Sequence, residues 1–169
     1  KPFDFGADIV IHSTTKYMDG HALQVGGVIV DSGRFDWKNG NFPEFTEPDE
    51  SYHGVVYTCD AIGKAAYITK ARMQLMRDFG AYPAAHSAFL LNLGLETLPL
   101  RMERYCQNGL AVAKAFQASD KIESVRYSAL EGDPYYALAQ KYLPKGSCGV
   151  VSVVIRIPLE SGIPHGFNF

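Results

Sequence analysis

The sequence has few of the features that mark the common binding classes. Its three cysteines, Cys59, Cys106 and Cys148, are scattered and odd in number. No Cys-x-x-Cys pair or Cys/His cluster brings metal ligands together, so no metal site is expected. The cysteines read instead as small buried or half-buried hydrophobes in a reducing compartment. The formal net charge is only −2 and no block of like charge stands out. Binding of nucleic acid or of an anionic membrane through bulk charge is therefore excluded. The apolar runs are a few residues long, far short of a membrane span. The opening, Lys1-Pro2-Phe3-Asp4-Phe5-Gly6, has no apolar segment of the secretory type. A cytoplasmic protein without nucleic-acid or membrane partners is the default. An initiator methionine is also lacking, and Pro164 to Phe169 shows no helix or strand pattern, so the chain reads like a piece cut from a longer protein.

What is present fits a soluble globular chain of 169 residues, 47% apolar and 20% charged, enough for one domain or parts of two. Ala7 to His12 is a β-branched apolar run suited to a buried strand, and Gly26 to Val30 is a second. Between them, Ser13 to Gly20 is polar and ends in Asp-Gly, a loop leaving the first strand. Residues 34–54, rich in Gly, Pro, Asn and aromatics, read as an ordered surface excursion. Ile62, Ala65, Ala66, Ile68, Met73 and Met76 predict a helix over 61–78. Leu91, Leu95, Leu98, Met102, Tyr105 and Val112 predict a longer helical region over 84–117, with a kink or break at Pro99. Ile122 to Tyr127 alternates like a half-buried strand, Pro134 opens a short helix over 135–142, and Val150 to Ile157 is another β-branched run. A strand–helix–strand unit after a long helix suggests a second, smaller domain, with the boundary near residues 100–120.

The stretch richest in chemistry is His12-Ser13-Thr14-Thr15-Lys16-Tyr17. Lys16 follows a strand in a polar loop, the usual place for functional groups on α/β sheets. Ser13 and Thr15 are hydroxyl donors suited to a phosphate, and a lysine amine can form a Schiff base with an aldehyde. Pyridoxal phosphate carries both groups on one ring, so the set suits it. By spacing alone, the commoner meaning of such a run is a solvated lysine in a turn. A Walker-type phosphate loop does not fit, because its glycine pattern is absent. Gly26-Gly27 reads as close backbone packing. His12, His21 and His53 read as structural or loop-bonded histidines, and Asp19 and Asp31 as turn-capping carboxylates.

Residues 6–21, Gly-Ala-Asp-Ile-Val-Ile-His-Ser-Thr-Thr-Lys-Tyr-Met-Asp-Gly-His, resemble the cofactor-lysine signature of the Cys/Met-metabolism family of pyridoxal-phosphate enzymes. Further segments are similar to its O-acetylhomoserine sulfhydrylase branch: residues 26–37, Phe42-Pro43, residues 48–54, residues 95–104 and residues 141–146. The resemblance covers roughly residues 5–152. It implies an α/β fold of fold type I, a large domain with a mixed, mostly parallel sheet and a smaller α/β domain. Residues 1–110 would be the C-terminal part of the large cofactor-binding domain with its connecting helix. Residues 111–169 would be the truncated beginning of the small domain.

Carried over by position, Lys16 is the cofactor lysine and proton carrier, and Ser13 and Thr15 hold the cofactor phosphate. The implied reaction is γ-replacement on O-acetylhomoserine by sulfide or a small thiol, giving homocysteine or methionine and acetate. A γ-lyase or a cystathionine-forming enzyme is the alternative within the family, and an inactive remnant is the alternative outside it. The intact protein is expected to be a homo-oligomer, a tetramer, with active sites between subunits. The family's pyridine-nitrogen aspartate and ring-stacking tyrosine precede this sequence, and its substrate-carboxylate arginine lies beyond Phe169. After Ser152 the sequence departs from the family pattern, with Val153-Val154 and Ile157-Pro158, and Arg156 is not a substitute for the missing clamp.

Overall fold

The computed structural model describes residues 1–156. The expectations for Ile157-Pro158 and for Pro164 to Phe169 lie outside the described residues. Two compact units divide the chain between Glu96 and Thr97.

The first unit opens with a tight turn, Pro2–Phe5, closed by Gly6 at φ 92°. Strand β1 (Ile9–Ser13) then pairs antiparallel with β2 (Gly27–Asp31), Ile9 opposite Asp31 and Ser13 opposite Gly27. Their β-branched residues favour the pleated backbone. Both strands form where the sequence places them, but they are not buried as expected: Ile11 remains 70% exposed and Ile29 43%. A two-stranded ribbon cannot cover both of its own faces, and the described residues supply no layer over them.

The excursion after β2 is ordered by its aromatic residues. Trp37 stacks on Phe45 at 4.3 Å and on Tyr67 at 5.6 Å between ring centroids, and Phe42 meets Trp37 edge-on at 5.1 Å. Phe45, on the single-turn helix α1 (Pro43–Thr46), joins Tyr57 and Ala66 in this unit's core. Rings of this size bury large apolar area with few rotamers to freeze, which suits a segment with little regular structure. Helix α2 (Ala66–Lys70) continues through a wider-wound stretch, Ala71–Met76, into α3 (Arg77–Phe79), which Gly80 ends at φ 66°. It starts later than the apolar spacing predicts, because residues 59–65 wind in tighter turns.

Helix α4 (Ala85–Glu96) closes the first unit, and α5 (Leu98–Gln117) opens the second. The break falls at Thr97, just ahead of Pro99. A proline in a helix's first turn gives up an amide that has no partner there, so starting a new helix relieves the clash of running through it. In the second unit, β3 (Ile122–Arg126) pairs antiparallel with β4 (Ser152–Ile155), and α6 (Tyr136–Tyr142) lies between them in sequence. The core is Ala113, Tyr127 and Leu130, with Leu110, Val125 and Val151 against it. Gly109 lets α5 approach closely: a Cβ there would sit 2.7 Å from the Cys148 carbonyl oxygen and 3.0 Å from the Tyr127 hydroxyl. That hydroxyl donates to the same carbonyl at 2.8 Å. Both described strand pairs are antiparallel, an arrangement that a mixed sheet accommodates at its edge. Among the described residues no helix is long and apolar enough to cross a membrane.

Candidate functional site

The chain leaves β1 at Ser13 and makes one wide helical turn over Thr14–Met18, with Lys16 off helical geometry at φ −95°, ψ −119°. Backbone bonds hold the turn at both ends: the Thr14 amide donates to the Gly26 carbonyl at 3.0 Å, and the Gly20 amide to the Lys16 carbonyl at 2.9 Å. Ser13 and Lys16 are exposed, Thr15 is half-buried and Thr14 is buried. The lysine thus stands free on a turn whose backbone is fixed.

Thr15 Oγ1 accepts the Gly26 amide proton at 3.0 Å and donates its own to the Gly26 carbonyl oxygen at 3.3 Å. A donation that long is weak, so a better acceptor can draw the proton away. The sequence suggests close backbone packing at the glycine pair; instead Gly26 faces side-chain atoms, and a Cβ on Gly27 would lie at an ordinary 3.5 Å from the His12 carbonyl oxygen. A Cβ on Gly26 would lie 2.9 Å from Thr14 Oγ1 and 3.0 Å from Gln24 Oε1, so a side chain there would push these two groups aside.

The return segment is fastened by carboxylate and amide groups. Asp19 is fully buried, and its Oδ2 accepts from the amides of Leu23 at 2.8 Å and His21 at 3.3 Å. Asp31 Oδ1 accepts the Gly33 amide at 3.0 Å. Both carboxylates are the turn caps that the sequence suggests. His21 Nδ1 lies 2.8 Å from the Asp19 carbonyl oxygen, so this histidine serves the loop. Helix α4 abuts the turn through Gly94, where a Cβ would lie 2.6 Å from the Met18 carbonyl oxygen. Arg156 is exposed, with its amide on the Lys121 carbonyl at 2.8 Å.

Two arrangements went unread in the sequence. Gln24 reaches back to the lysine turn, its Nε2 donating to the Thr14 carbonyl at 2.9 Å. Around Asp49, the carboxylate accepts from the Ser51 amide at 3.0 Å, the Ser51 hydroxyl at 2.6 Å, the Tyr57 hydroxyl at 2.7 Å and Gln74 Nε2. The Ser51 and Tyr57 hydroxyls hold Asp49 below the usual carboxylate range. Burial, and then the bond to Asp49, push the Tyr57 phenol up to about 12. Lys70 Nζ lies over the Tyr57 ring at 4.5 Å from its centroid. Only the Asp49–Ser51 contacts are local; Gln24 reaches ten positions back to Thr14, and Tyr57 and Gln74 lie eight and 25 positions beyond Asp49.

The donor set at the end of β1 fits the phosphate and aldehyde of pyridoxal phosphate: an exposed lysine, an exposed serine, and a threonine hydroxyl held by the Gly26 amide and only weakly engaged as a donor. Comparison with known proteins shows the family and its cofactor. The family model for Cys/Met metabolism PLP-dependent enzymes matches residues 1–163. The chain is 46% identical to the O-acetyl-L-homoserine sulfhydrylase of Leptospira meyeri over 176 residues, covering 99% of this chain and 39% of that protein. It is 49% identical to the homocysteine synthase of Schizosaccharomyces pombe over 154 residues, covering 90% of this chain and 36% of that protein. A crystal structure of a putative O-acetylhomoserine (thiol)-lyase from Campylobacter jejuni, containing N'-pyridoxyl-lysine-5'-monophosphate, matches with a TM-score of 0.82 at 33% identity. That match covers 92% of this chain and 39% of the other, so this chain spans well under half of each of these three proteins.

Proposed function

The chain belongs to the Cys/Met-metabolism family of pyridoxal-phosphate-dependent enzymes, with its α/β fold, and from that premise we propose that the whole protein replaces the γ-acetoxy group of O-acetyl-L-homoserine with sulfide or a small thiol. The products are homocysteine or methionine, and acetate. The observation that carries this reading is the turn after β1, with Lys16 exposed between a fixed strand end and a fixed return segment.

Ser13 and Thr15 donate their hydroxyl protons to the cofactor phosphate, and Lys16 holds the cofactor through its aldehyde. The Gly26 amide keeps Thr15 Oγ1 in place, so the hydroxyl need not search for its orientation. Once the substrate amine takes the aldehyde, the freed Lys16 amine is positioned to move the substrate's α-proton. The bound cofactor supplies an electron sink. The bond from the γ-carbon to the acetate oxygen breaks and sulfur bonds to that carbon; hydrosulfide keeps its proton as the thiol of homocysteine, whereas a neutral thiol releases its proton.

Product analysis of the whole protein tests the reaction. O-acetylhomoserine and sulfide should give homocysteine and acetate in equal amounts. Formation of 2-oxobutanoate and ammonia instead would establish a γ-lyase and overturn the reading. The isolated 169-residue chain is expected to turn over little or nothing, since β1 and β2 leave apolar faces uncovered. Measurable activity from it would contradict that. The family resemblance implies a cytoplasmic homotetramer for the whole protein; a monomer in sedimentation would contradict the tetramer.

A further inference from the structure

We propose that Gln24 is the positioning residue of the phosphate-holding turn, acting through the Thr14 carbonyl to aim the Thr15 hydroxyl. The inference rests on the reading above, in which Thr15 meets the cofactor phosphate.

Gln24 is 9% exposed and Thr14 is 2% exposed, so their contacts are shielded from water. Gln24 Nε2 donates to the Thr14 carbonyl at 2.9 Å. The same carbonyl receives the Asp19 amide at 3.1 Å, so both of its acceptor sites are used. Across the pair, Thr14 Oγ1 donates weakly to Gln24 Oε1 at 3.5 Å. The side-chain amide lies against Gly26, where a Cβ would come within 3.0 Å of Oε1. Gln24 and Gly26 therefore grip consecutive residues of the turn, one by the Thr14 carbonyl and the other by the Thr15 hydroxyl.

The orientation of the Thr14–Thr15 peptide sets where the Thr15 side chain starts. With Gln24 in place that peptide is held from its carbonyl side, and the Thr15 proton can pass from its long bond to the Gly26 carbonyl to a phosphate oxygen. The Gly26 carbonyl, 3.3 Å away, is a weak competitor for it. Without Gln24 the Thr14 carbonyl keeps only the Asp19 amide, and the peptide gains freedom to tilt. The loss then falls on recognition of the phosphate and spares the aldehyde, which Lys16 meets by itself.

The test compares pyridoxal phosphate with pyridoxal, titrated by absorbance into the cofactor-stripped whole protein. Gln24→Met keeps the side chain's bulk and removes both hydrogen bonds. Gln24→Glu keeps its shape and, when ionised, replaces the donor with an acceptor. Both variants are expected to bind pyridoxal phosphate about tenfold more weakly and pyridoxal within about twofold of the unmodified protein, a loss confined to a charge-assisted contact. Equal weakening of the two ligands, or of neither, overturns the inference, as does loss of folded structure in both variants, because a positioning role leaves the fold intact. Thr15→Ala separates the two levels. If it lowers the preference for pyridoxal phosphate and the Gln24 variants do not, Gln24 alone is wrong. If Thr15→Ala leaves that preference unchanged, the phosphate reading fails and this inference with it.

Discussion

At the scale of single residues, steric and electrostatic effects at the ends of the lysine turn outweigh helix propensity. Gly94 lies inside α4, where replacing glycine with alanine ordinarily gains about 1 kcal/mol. Here the added methyl group would meet backbone oxygens of Met18 and Asp19, which cannot rotate away. Overpacking of this kind costs about 1–3 kcal/mol, so the clash wins. Gly94→Ala should lower the urea midpoint, and an unchanged or raised midpoint would show that α4 does not press on the turn. Tyr57 gives a second residue-level prediction. Its folded-state phenol ionises at about 12, whereas an unfolded tyrosine ionises near 10. The folded state keeps the proton longer, so the stabilisation is complete below about pH 10 and declines as pH rises from there toward 12. Tyr57→Phe should remove that part of the alkaline decline. Urea midpoints of the two proteins that fall in parallel above pH 10 would contradict it.

At the scale of elements, Asp133 ties the end of β3 to the start of α6. Its side chain is 2% exposed, with Oδ2 accepting from Arg126 Nε at 3.2 Å and the Tyr127 amide at 3.1 Å. Its Oδ1 accepts the Tyr135 amide at 2.9 Å. The Tyr135 amide first, then Arg126, hold this carboxyl below its ordinary range. A depressed folded-state pKa stabilises above the unfolded value of about 3.9, and the benefit is lost as pH falls below it. Asp133→Ala should cost about 1 kcal/mol at neutral pH, since Arg126 and Tyr135 remain open to water and only the Tyr127 amide is partly buried. It should also flatten the acid limb of stability below about pH 4, as followed by urea midpoints. A variant with an unchanged midpoint at pH 7 would show that the tie contributes nothing.

The elements also show what a sequence can carry. The β-branched runs at Ile9 to Ile11 and Val28 to Val30 mark β1 and β2, and Pro99 marks the α4–α5 break to within two residues, because these signals act locally. The wider winding over Ala71–Met76 is not legible, since its apolar spacing differs little from that of an ordinary helix. The turn carrying Lys16, Ser13 and Thr15 is legible as chemistry, and Asp19 and Asp31 as its caps. The clamp from Gln24 and the cluster on Asp49 are not, because they arise only when separated segments meet.

At the scale of the whole molecule, the exposure of β1 and β2 sets the behaviour of the isolated chain. Ile11 is 70% exposed and Val25 88%, beside other apolar side chains on the same unit. Surface of this kind is an aggregation liability unless another layer covers it. The isolated chain is expected to bind a hydrophobic dye strongly and to stay in solution poorly. A monodisperse, dye-silent preparation would contradict that.

The account turns on Lys16, and cofactor trapping tests it most directly. The whole protein is incubated with pyridoxal phosphate and reduced with borohydride, and the modified peptides are mapped by mass spectrometry. A single adduct on Lys16, absent from Lys16→Ala, is the expected result. Adducts scattered over several lysines, or none, would contradict the assignment of the turn after β1 as the cofactor site.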